Sequence, residues 1–180
     1  GRVICSTLSD MVSGVTGAIG ALKGPLHGGA NEAAMEMLQR FSTAEEASAW
    51  ITQALENKEK VMGFGHRVYK NGDHRAVILE EKLRKLAEQK GEYTWMAIYD
   101  AIKKPMTEEK KIYPNVDYPC GLTYFLMDLP LDLYTPLFVA SRVTGWTAHI
   151  IEQRRNNRIY RPLSIYTGPK ERPVPALDER

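Results

Sequence analysis

Glycine and proline clusters divide this sequence into apolar segments of helical length, and that division limits what the chain can fold into. Within the segments, apolar residues recur every three or four positions, which is typical of amphipathic helices. Leu79, Leu83 and Leu86 form one such face. No segment shows the strict alternation of a half-buried strand, and no internal repeat is visible. The sequence therefore predicts an all-α fold.

Seven helices are predicted from these segments and their end signals. They cover residues 4–22, 28–40, a segment behind a capping box of Ser42 and Glu45, 74–89, 93–102, 121–127, and a long helix that Thr135 caps and that reaches Arg154. Gly91 is expected to end the fourth helix. The tail from residue 160 carries four prolines and little periodicity, so we expect it to be extended or disordered.

Composition excludes several classes of protein. The chain has 180 residues, 26% of them charged, and a formal net charge of +2 with both signs mixed, which argues against a nucleic-acid tail or a polybasic membrane patch. No apolar run approaches the length of a membrane span. Cys5 and Cys120 lie far apart and give neither a disulfide framework nor a metal motif. These features predict a cytoplasmic protein without a nucleic-acid or membrane partner.

The beginning of the chain predicts both a truncation and a helix contact. The stretch GRVICSTLSDM has no initiating Met, does not follow the pattern of a signal peptide and opens inside a predicted helix, so we expect a truncated or cleaved chain. Several glycines follow within residues 4–22, and each costs a helix roughly 1 kcal/mol relative to Ala. We expect the close approach of another helix to offset this cost, either in the core or at a subunit interface.

His27 occupies a constrained corner in the stretch GPLHGGANEAAMEML. It lies between Pro25 and the pair Gly28 and Gly29, directly before a predicted helix. A neutral imidazole at such a corner can donate a hydrogen bond to a developing enolate oxygen, and Asn31 could orient it from one turn further on. Taken alone, the residue also fits a turn histidine that makes only local bonds.

A second histidine, His66, lies in the stretch VMGFGHRVYKNGDHR. Gly63 and Gly65 allow the backbone to approach a ligand closely, and basic residues such as Arg67 and Arg75 crowd the same loop. Glycines combined with cations indicate a loop that receives an anionic ligand. A solvated basic loop with a structural histidine is the alternative.

The third candidate is Asp117, in a stiff loop between Pro114 and Pro119. Alone it reads as a helix N-cap. Together with two histidines on constrained loops, however, it suits the abstraction of a proton next to a carbonyl. Nearby arginines suit a carboxylate substrate, because guanidinium binds carboxylate in a bidentate fork. None of the loops carries a short metal-ligand spacing, so we predict no metal site.

Four stretches resemble the citrate synthase family, in the family's order: GPLHGGANEAAMEML, GFGHRVYKNGDHR, PNVDYPCGLTYF, and SRVTGWTAHIIEQ followed by RIYRPLSIYTGP. The resemblance covers nearly all of this chain, but only the C-terminal half of a typical member. It implies a multihelical fold made of a small domain and the C-terminal part of a large domain. Residues 1–26 would form a large-domain helix at a dimer interface, 27–130 the CoA-binding and catalytic small domain, and 131–180 the return to the large domain and the tail.

The resemblance also implies roles for the candidate residues. Asp117 would take a proton from the methyl group of acetyl-CoA, His27 would hold the enol oxygen, and His66 would polarise or protonate the oxaloacetate carbonyl. Three arginines would bind oxaloacetate, the last from the partner subunit of a homodimer: Arg75, Arg142 and Arg161. A backbone stretch would cradle the CoA adenine: Val61, Met62, Gly63, Phe64 and Gly65.

The implied activity is the condensation of acetyl-CoA with oxaloacetate to citrate, with coenzyme A thioester as a substrate and no tightly bound cofactor. Two alternatives stay open: a 2-methylcitrate synthase that uses propionyl-CoA, and a non-catalytic dimerisation or CoA-binding fragment. The family also uses an oxaloacetate-binding histidine upstream of the first helix of this chain. We therefore expect the isolated chain, without the N-terminal half of the same protein, to bind substrate poorly.

Overall fold

The computed structural model describes residues 1–24, 26–170 and 172–179. Eight α-helices lie in this part of the chain: α1 Arg2–Cys5, α2 Met11–Leu22, α3 Ala30–Leu38, α4 Ala44–Glu56, α5 His74–Lys90, α6 Tyr93–Glu108, α7 Asp117–Leu126 and α8 Tyr134–Arg155. Short 3-10 turns cover Leu131–Leu133 and Leu177–Glu179. The described residues form no strand, only an isolated bridge between Phe64 and Pro114. The all-α prediction is confirmed.

The first predicted helix is in fact two helices. Leu8, between them, has a positive φ of 68°, and Asp10 caps α2 by accepting the Ser13 N–H at 2.9 Å. The prediction of one helix over 4–22 was wrong because a short polar side chain such as Asp10 offers the backbone a local bond in place of the helical one. Pro25, expected at the corner before His27, lies outside the described residues.

The small residues of α2 do allow a close helix contact. A Cβ added at Gly14 would lie 2.4 Å from the Cys5 Sγ and 3.0 Å from the Ile150 Cδ1. The helices α1, α2 and α8 therefore pack tightly together, as the composition of the first segment predicted.

Several other helix ends differ from the sequence-based expectation. Thr43, not Ser42, caps α4: its Oγ1 accepts the Glu46 N–H at 3.3 Å, and the Glu46 carboxylate accepts the Ser42 N–H at 2.7 Å. The capping residues are thus shifted by one position, from the predicted Ser42 and Glu45 to Thr43 and Glu46. Helix α6 continues beyond residue 102 to Glu108, with Pro105 near its end. Gly91 ends α5 with a φ of 72°, as predicted.

The starts of α7 and α8 are set by side chains from outside each helix. Helix α7 begins at Asp117, four residues earlier than predicted, because Asn115 Oδ1 accepts the Asp117 N–H at 3.0 Å. Thr135 does not cap α8. Its N–H donates to Glu32 Oε1 on α3 at 3.0 Å, so that α3 fixes the first turn of α8.

The five helices from α3 through α7 and the start of α8 share one buried core. Its largest fully buried members are Met35, Leu38, Ile51, Leu83, Ile98, Tyr99, Ile102, Tyr118, Leu122 and Tyr134. Helices α3 and α7 cross at Gly121, where an added Cβ would lie 2.8 Å from the Asn31 carbonyl oxygen. Glycine is required there because any side chain would separate the two helices. The division at residues 26 and 130 stays a prediction.

Candidate functional site

One cleft brings together the three residues that the sequence selected. His27, His66 and Asp117 line a cavity of about 280 Å³, and the stretch from Val61 to Gly65 also lines it. His27 lies just before α3, while Asp117 opens α7. The crossing of α3 and α7 therefore holds the first histidine and the carboxylate near each other.

Asp117 has the ionisation behaviour of a carboxylate suited to proton transfer. Its side chain is half-buried, and burial raises its pKa to about 6 from an ordinary value of 3.8. The positive charge of Arg75 opposes this shift, and the negative charge of Asp73 adds to it. A carboxylate with such a pKa is mostly ionised at neutral pH and is a stronger base than an exposed one.

Local backbone bonds set the tautomer of His66. Its Nδ1 accepts the N–H groups of Val68 at 3.1 Å and Tyr69 at 3.2 Å. The proton of the neutral ring is then on Nε2, the nitrogen that can donate to a ligand. The ring also stacks on Tyr69, with 4.5 Å between centroids, so its plane is fixed.

A tight turn presents His27 to solvent at the mouth of the cleft. The turn is closed by a bond from the His27 N–H to the Gly24 carbonyl at 2.8 Å. Gly28 follows, and an added Cβ there would lie 2.3 Å from the Leu22 Cδ2, so only glycine fits. The His27 ring meets Phe138 of α8 edge to face, with 5.7 Å between centroids.

The Val61 to Gly65 stretch follows a path that glycine permits, and hydrogen bonds hold it in place. Gly63 and Gly65 have φ values of +83° and +76°, in the left-handed region that favours glycine. The Gly63 carbonyl accepts the Asn115 N–H at 2.9 Å, and the Gly65 carbonyl accepts the Asn115 Nδ2 at 3.0 Å. Asn115 thus connects this loop to the start of α7.

Sequence reasoning missed Asn115 and Phe138. Asn two residues before Asp117 is a recognisable turn signal, because an Asn side chain can accept a backbone N–H two residues on. Phe138 lies four residues before Arg142 on the same helix, a spacing that places two side chains on one face. The Arg142 guanidinium indeed lies over the Phe138 ring, 4.8 Å from its centroid.

Two of the three predicted arginines lie near the cleft. Arg75 lies over the Tyr69 ring at 5.3 Å, beside His66, and Arg142 lies over Phe138, beside His27. Each histidine ring thus contacts one aromatic ring, and a guanidinium lies over that aromatic ring. Arg161 is on the exposed tail, and no contact brings it to the cleft.

A second cavity, of about 370 Å³, adjoins the first along the same loop. Apolar side chains of Leu55, Val61 and Met106 contribute to its lining. Three lysines and one glutamate also line this cavity: Lys58, Lys60, Lys110 and Glu59. An apolar floor with a cationic rim suits a ligand that combines a flat apolar group with phosphates.

Neither a metal centre nor a membrane helix is found in the described part of the chain. No three of its His, Cys, Asp or Glu side chains are grouped so as to hold an ion. No described helix is both long and apolar enough to cross a bilayer.

Comparison with known proteins gives a consistent result. The family model "Citrate synthase, C-terminal domain" matches residues 1–163. The chain is 51% identical to 2-methylcitrate synthase 2 of Corynebacterium glutamicum, over 99% of its own length and 47% of that protein. It is 50% identical to citrate synthase 2 of Bacillus subtilis, over 99% of its own length and 48% of that protein. The chain thus spans about half the length of these relatives.

A solved structure shows the same fold. The citrate synthase of Thermoplasma acidophilum, in a ternary complex with carboxymethyl coenzyme A and oxaloacetate, superposes with a TM-score of 0.90 at 43% identity. The match covers 99% of this chain and 49% of that one.

Proposed function

The chain belongs to the citrate synthase family of acyltransferases, and on that premise we propose that it forms the catalytic half of an enzyme that condenses acetyl-CoA with oxaloacetate. The products are citrate and coenzyme A. One observation carries the proposal: a single cleft is lined by His27, His66 and Asp117. By "complete enzyme" we mean this chain joined to the N-terminal half that its relatives carry.

The first step is the removal of a proton from the methyl group next to the thioester carbonyl. Asp117 accepts this proton, and its raised pKa makes it a better base for the purpose. A carboxylate still cannot do this unless the negative charge on the thioester oxygen is stabilised as it develops. His27 supplies that stabilisation by donating a hydrogen bond to the enolate oxygen.

The second step forms the carbon–carbon bond. The enolate carbon attacks the ketone carbon of oxaloacetate, and the electron pair of the C=O bond moves to oxygen. The Nε2–H of His66 donates a hydrogen bond to that oxygen and stabilises its negative charge, since Nδ1 is occupied by two backbone N–H groups. The oxygen then takes its proton from solvent and becomes the hydroxyl of the product. Water then cleaves the citryl thioester, releasing citrate and the free thiol of coenzyme A.

Arginines allow the two anionic reactants to approach each other. Arg75 and Arg142 neutralise the carboxylates of oxaloacetate on the two sides of the cleft. Arg161 completes this set from the partner subunit of a homodimer. Exposed apolar residues at the beginning of the chain support such a dimer, among them Val3, Leu8, Val12 and Ile19.

Coenzyme A binds along the loop from Val61 to Gly65. The adjoining apolar cavity with its lysines suits the adenine and phosphate groups. No tightly bound cofactor takes part. The enzyme acts in the cytoplasm, as the two widely separated cysteines and the mixed charge indicate.

A 2-methylcitrate synthase is the second candidate, because the relatives at 50–51% identity include both activities. Propionyl-CoA differs from acetyl-CoA by one methylene group, a difference worth only about 1–3 kcal/mol in a pocket. Comparing kcat/KM for the two acyl-CoA substrates in the complete enzyme decides between them. A third candidate, a non-catalytic dimerisation or CoA-binding fragment, predicts no turnover with either.

The main test measures citrate formation by the complete enzyme and oxaloacetate binding by this chain alone. We expect turnover in the first and no calorimetric signal in the second. Absence of product from either acyl-CoA overturns the proposed activity. Tight oxaloacetate binding by the isolated chain overturns the requirement for the N-terminal half.

A further inference from the structure

We propose that Asp73 is a positioning residue for this reaction, acting through Arg75 to fix the carboxylate-binding edge of the cleft. The inference rests on the proposed function. It adds a residue of the GFGHRVYKNGDHR stretch that was not among the candidates selected from the sequence and that does not line the catalytic cleft.

Asp73 is a buried carboxylate with both oxygens engaged. Its side chain is 1% exposed, whereas that of Arg75 is 49% exposed. Asp73 Oδ1 accepts the Arg75 backbone N–H and Nε, both at 3.0 Å, and Oδ2 accepts Nη2 at 2.7 Å. The carboxylate of the pair is therefore buried, while the Arg75 side chain is accessible to solvent.

This geometry leaves a defined part of the guanidinium for substrate. An arginine side chain has five N–H donors in a rigid planar fork. Asp73 takes two of them, along the edge formed by Nε and Nη2. The remaining donors, on Nη1 and the outer side of Nη2, point away from Asp73 and can bind a substrate carboxylate. Because the fork is rigid, fixing one edge fixes the direction of the other.

Asp73 also connects this arginine to the helix that carries the base. The backbone N–H of Val116, the residue directly before Asp117, makes the smallest of the contributions that lower the pKa of the Asp73 carboxyl. Helices α5 and α7 pack along each other. Asp73 therefore sets the start of α5 and the direction of Arg75 on a helix that packs against the one that carries Asp117.

An ordinary helix cap does not need these features. Asp10 caps α2 with the same chemistry, yet it is exposed and its carboxylate accepts only from the Ser13 backbone and hydroxyl. Burying a carboxylate is unfavourable unless it is paired and hydrogen-bonded. The burial of Asp73, paired with one particular arginine, points to a role beyond ending the helix.

The test compares Asp73→Asn with Asp10→Asn in the complete enzyme. Asparagine caps a helix as well as aspartate, so both variants keep the backbone cap and lose the charge and one acceptor oxygen. We expect Asp73→Asn to raise the KM for oxaloacetate about tenfold or more, to leave the KM for acetyl-CoA within about twofold, and Asp10→Asn to change neither. An unchanged oxaloacetate KM in Asp73→Asn overturns the inference.

A double-mutant cycle separates positioning from a general structural effect. If Asp73 acts through Arg75, adding Asp73→Asn to Arg75→Ala should change the oxaloacetate KM by less than about twofold further. Fully multiplicative effects contradict the inference. A wild-type complete enzyme that forms no product refutes the proposed function instead.

A second variant decides the case if Asp73→Asn fails to fold. Arg75→Lys keeps the charge but cannot form the two-bonded fork. We expect it to raise the oxaloacetate KM nearly as much as Arg75→Ala does. A KM within about twofold of wild type shows that the fork, and with it Asp73, is dispensable.

Discussion

The loop at residues 113–117 is bonded to two other segments of the chain, whereas most of the tail at residues 156–179 is exposed. In the loop, Asn115 makes four hydrogen bonds, two to the Gly63 to Gly65 turn and two to the start of α7. In the tail, the described residues from 160 to 178 are all exposed. The first residues of the tail contact Ser6: Asn157 Nδ2 donates to the Ser6 carbonyl, and the Tyr160 N–H donates to the Ser6 hydroxyl.

The difference separates two kinds of site residue. Asp117 is positioned by contacts within this chain, so its geometry and its pKa are already set. Arg161 lies on the exposed tail, and under the proposed function a surface of the partner subunit surrounds it. The contrast supports the proposal that Arg161 acts in the partner subunit, and it can be tested residue by residue.

Loss of the carboxylate should have the largest effect. We expect Asp117→Asn in the complete enzyme to lower kcat about a thousandfold or more, because an amide cannot accept the proton. Oxaloacetate affinity, measured by calorimetry, should stay nearly unchanged. Turnover close to wild type would remove Asp117 from the role of base.

Glycine substitutions test how rigid the loop is. Gly63→Ala combines a φ of +83° with a Cβ 2.7 Å from that of Tyr118, so we expect it to destabilise the fold by about 2–4 kcal/mol. Gly91→Ala, with a φ of +72° and open space around it, should cost only about 1 kcal/mol. Gly20→Ala, helical and unobstructed, should stabilise slightly. Denaturant unfolding of the three variants checks the order, and equal effects would contradict it.

The tail arginine should matter only in an assembled enzyme. We expect Arg161→Ala to weaken oxaloacetate binding about tenfold in the dimer, since one carboxylate loses a charged partner. Arg172→Ala, in the same exposed tail, should have no effect. A monomeric enzyme with full activity would refute a role across the interface.

The raised pKa of Asp117 should be visible in stability as well as in rate. In the folded state the carboxyl group binds its proton more tightly than in the unfolded state, so stability falls as pH rises from about 4 through 6. At pH 7 we therefore expect Asp117→Asn to be more stable than wild type by about 1–3 kcal/mol. Unfolding curves at pH 4 and pH 7 should show this gain shrinking at the lower pH. A variant less stable at pH 7 would contradict the burial of the carboxylate.

The smallest effect is expected at Arg67, which lines the cleft but is itself exposed. We expect Arg67→Ala to raise the KM for acetyl-CoA by less than about threefold at physiological salt, because exposed charges are screened. Repeating the measurement at low salt should increase the difference. An effect that does not depend on salt would indicate a direct, desolvated contact instead.

The fold class and the three corners of the cleft could be predicted because they depend on local signals. Glycines around His27 and His66 mark sharp turns in any sequence. The prolines around Asp117 were a weaker guide, because Asp117 opens α7 and Pro119 lies in its first turn. The break before α2 could not be predicted, because a continuous helix and a capped turn at Asp10 are both compatible with the local pattern.

Residues that act through long-range contacts were harder to find. Glu32 bonds to Thr135, more than one hundred positions away, and nothing local distinguishes it from any other glutamate in the first turn of a helix. Asp73 differs, because its bonds to Arg75 are local, and only its burial, which requires the packed helices, distinguishes it from a plain N-cap. Such contacts exist only once the helices have packed.

The crossing at Gly121 has a consequence for how this family diversifies. The main chains of α3 and α7 approach each other closely there. The backbone itself therefore fixes the distance between the start of α3, next to His27, and the start of α7, at Asp117. Neighbouring side chains can then drift without disturbing the reacting atoms. Relatives named citrate synthase and 2-methylcitrate synthase are about equally similar to this chain, so we expect acyl preference to depend on side chains around the cleft and not on this backbone contact.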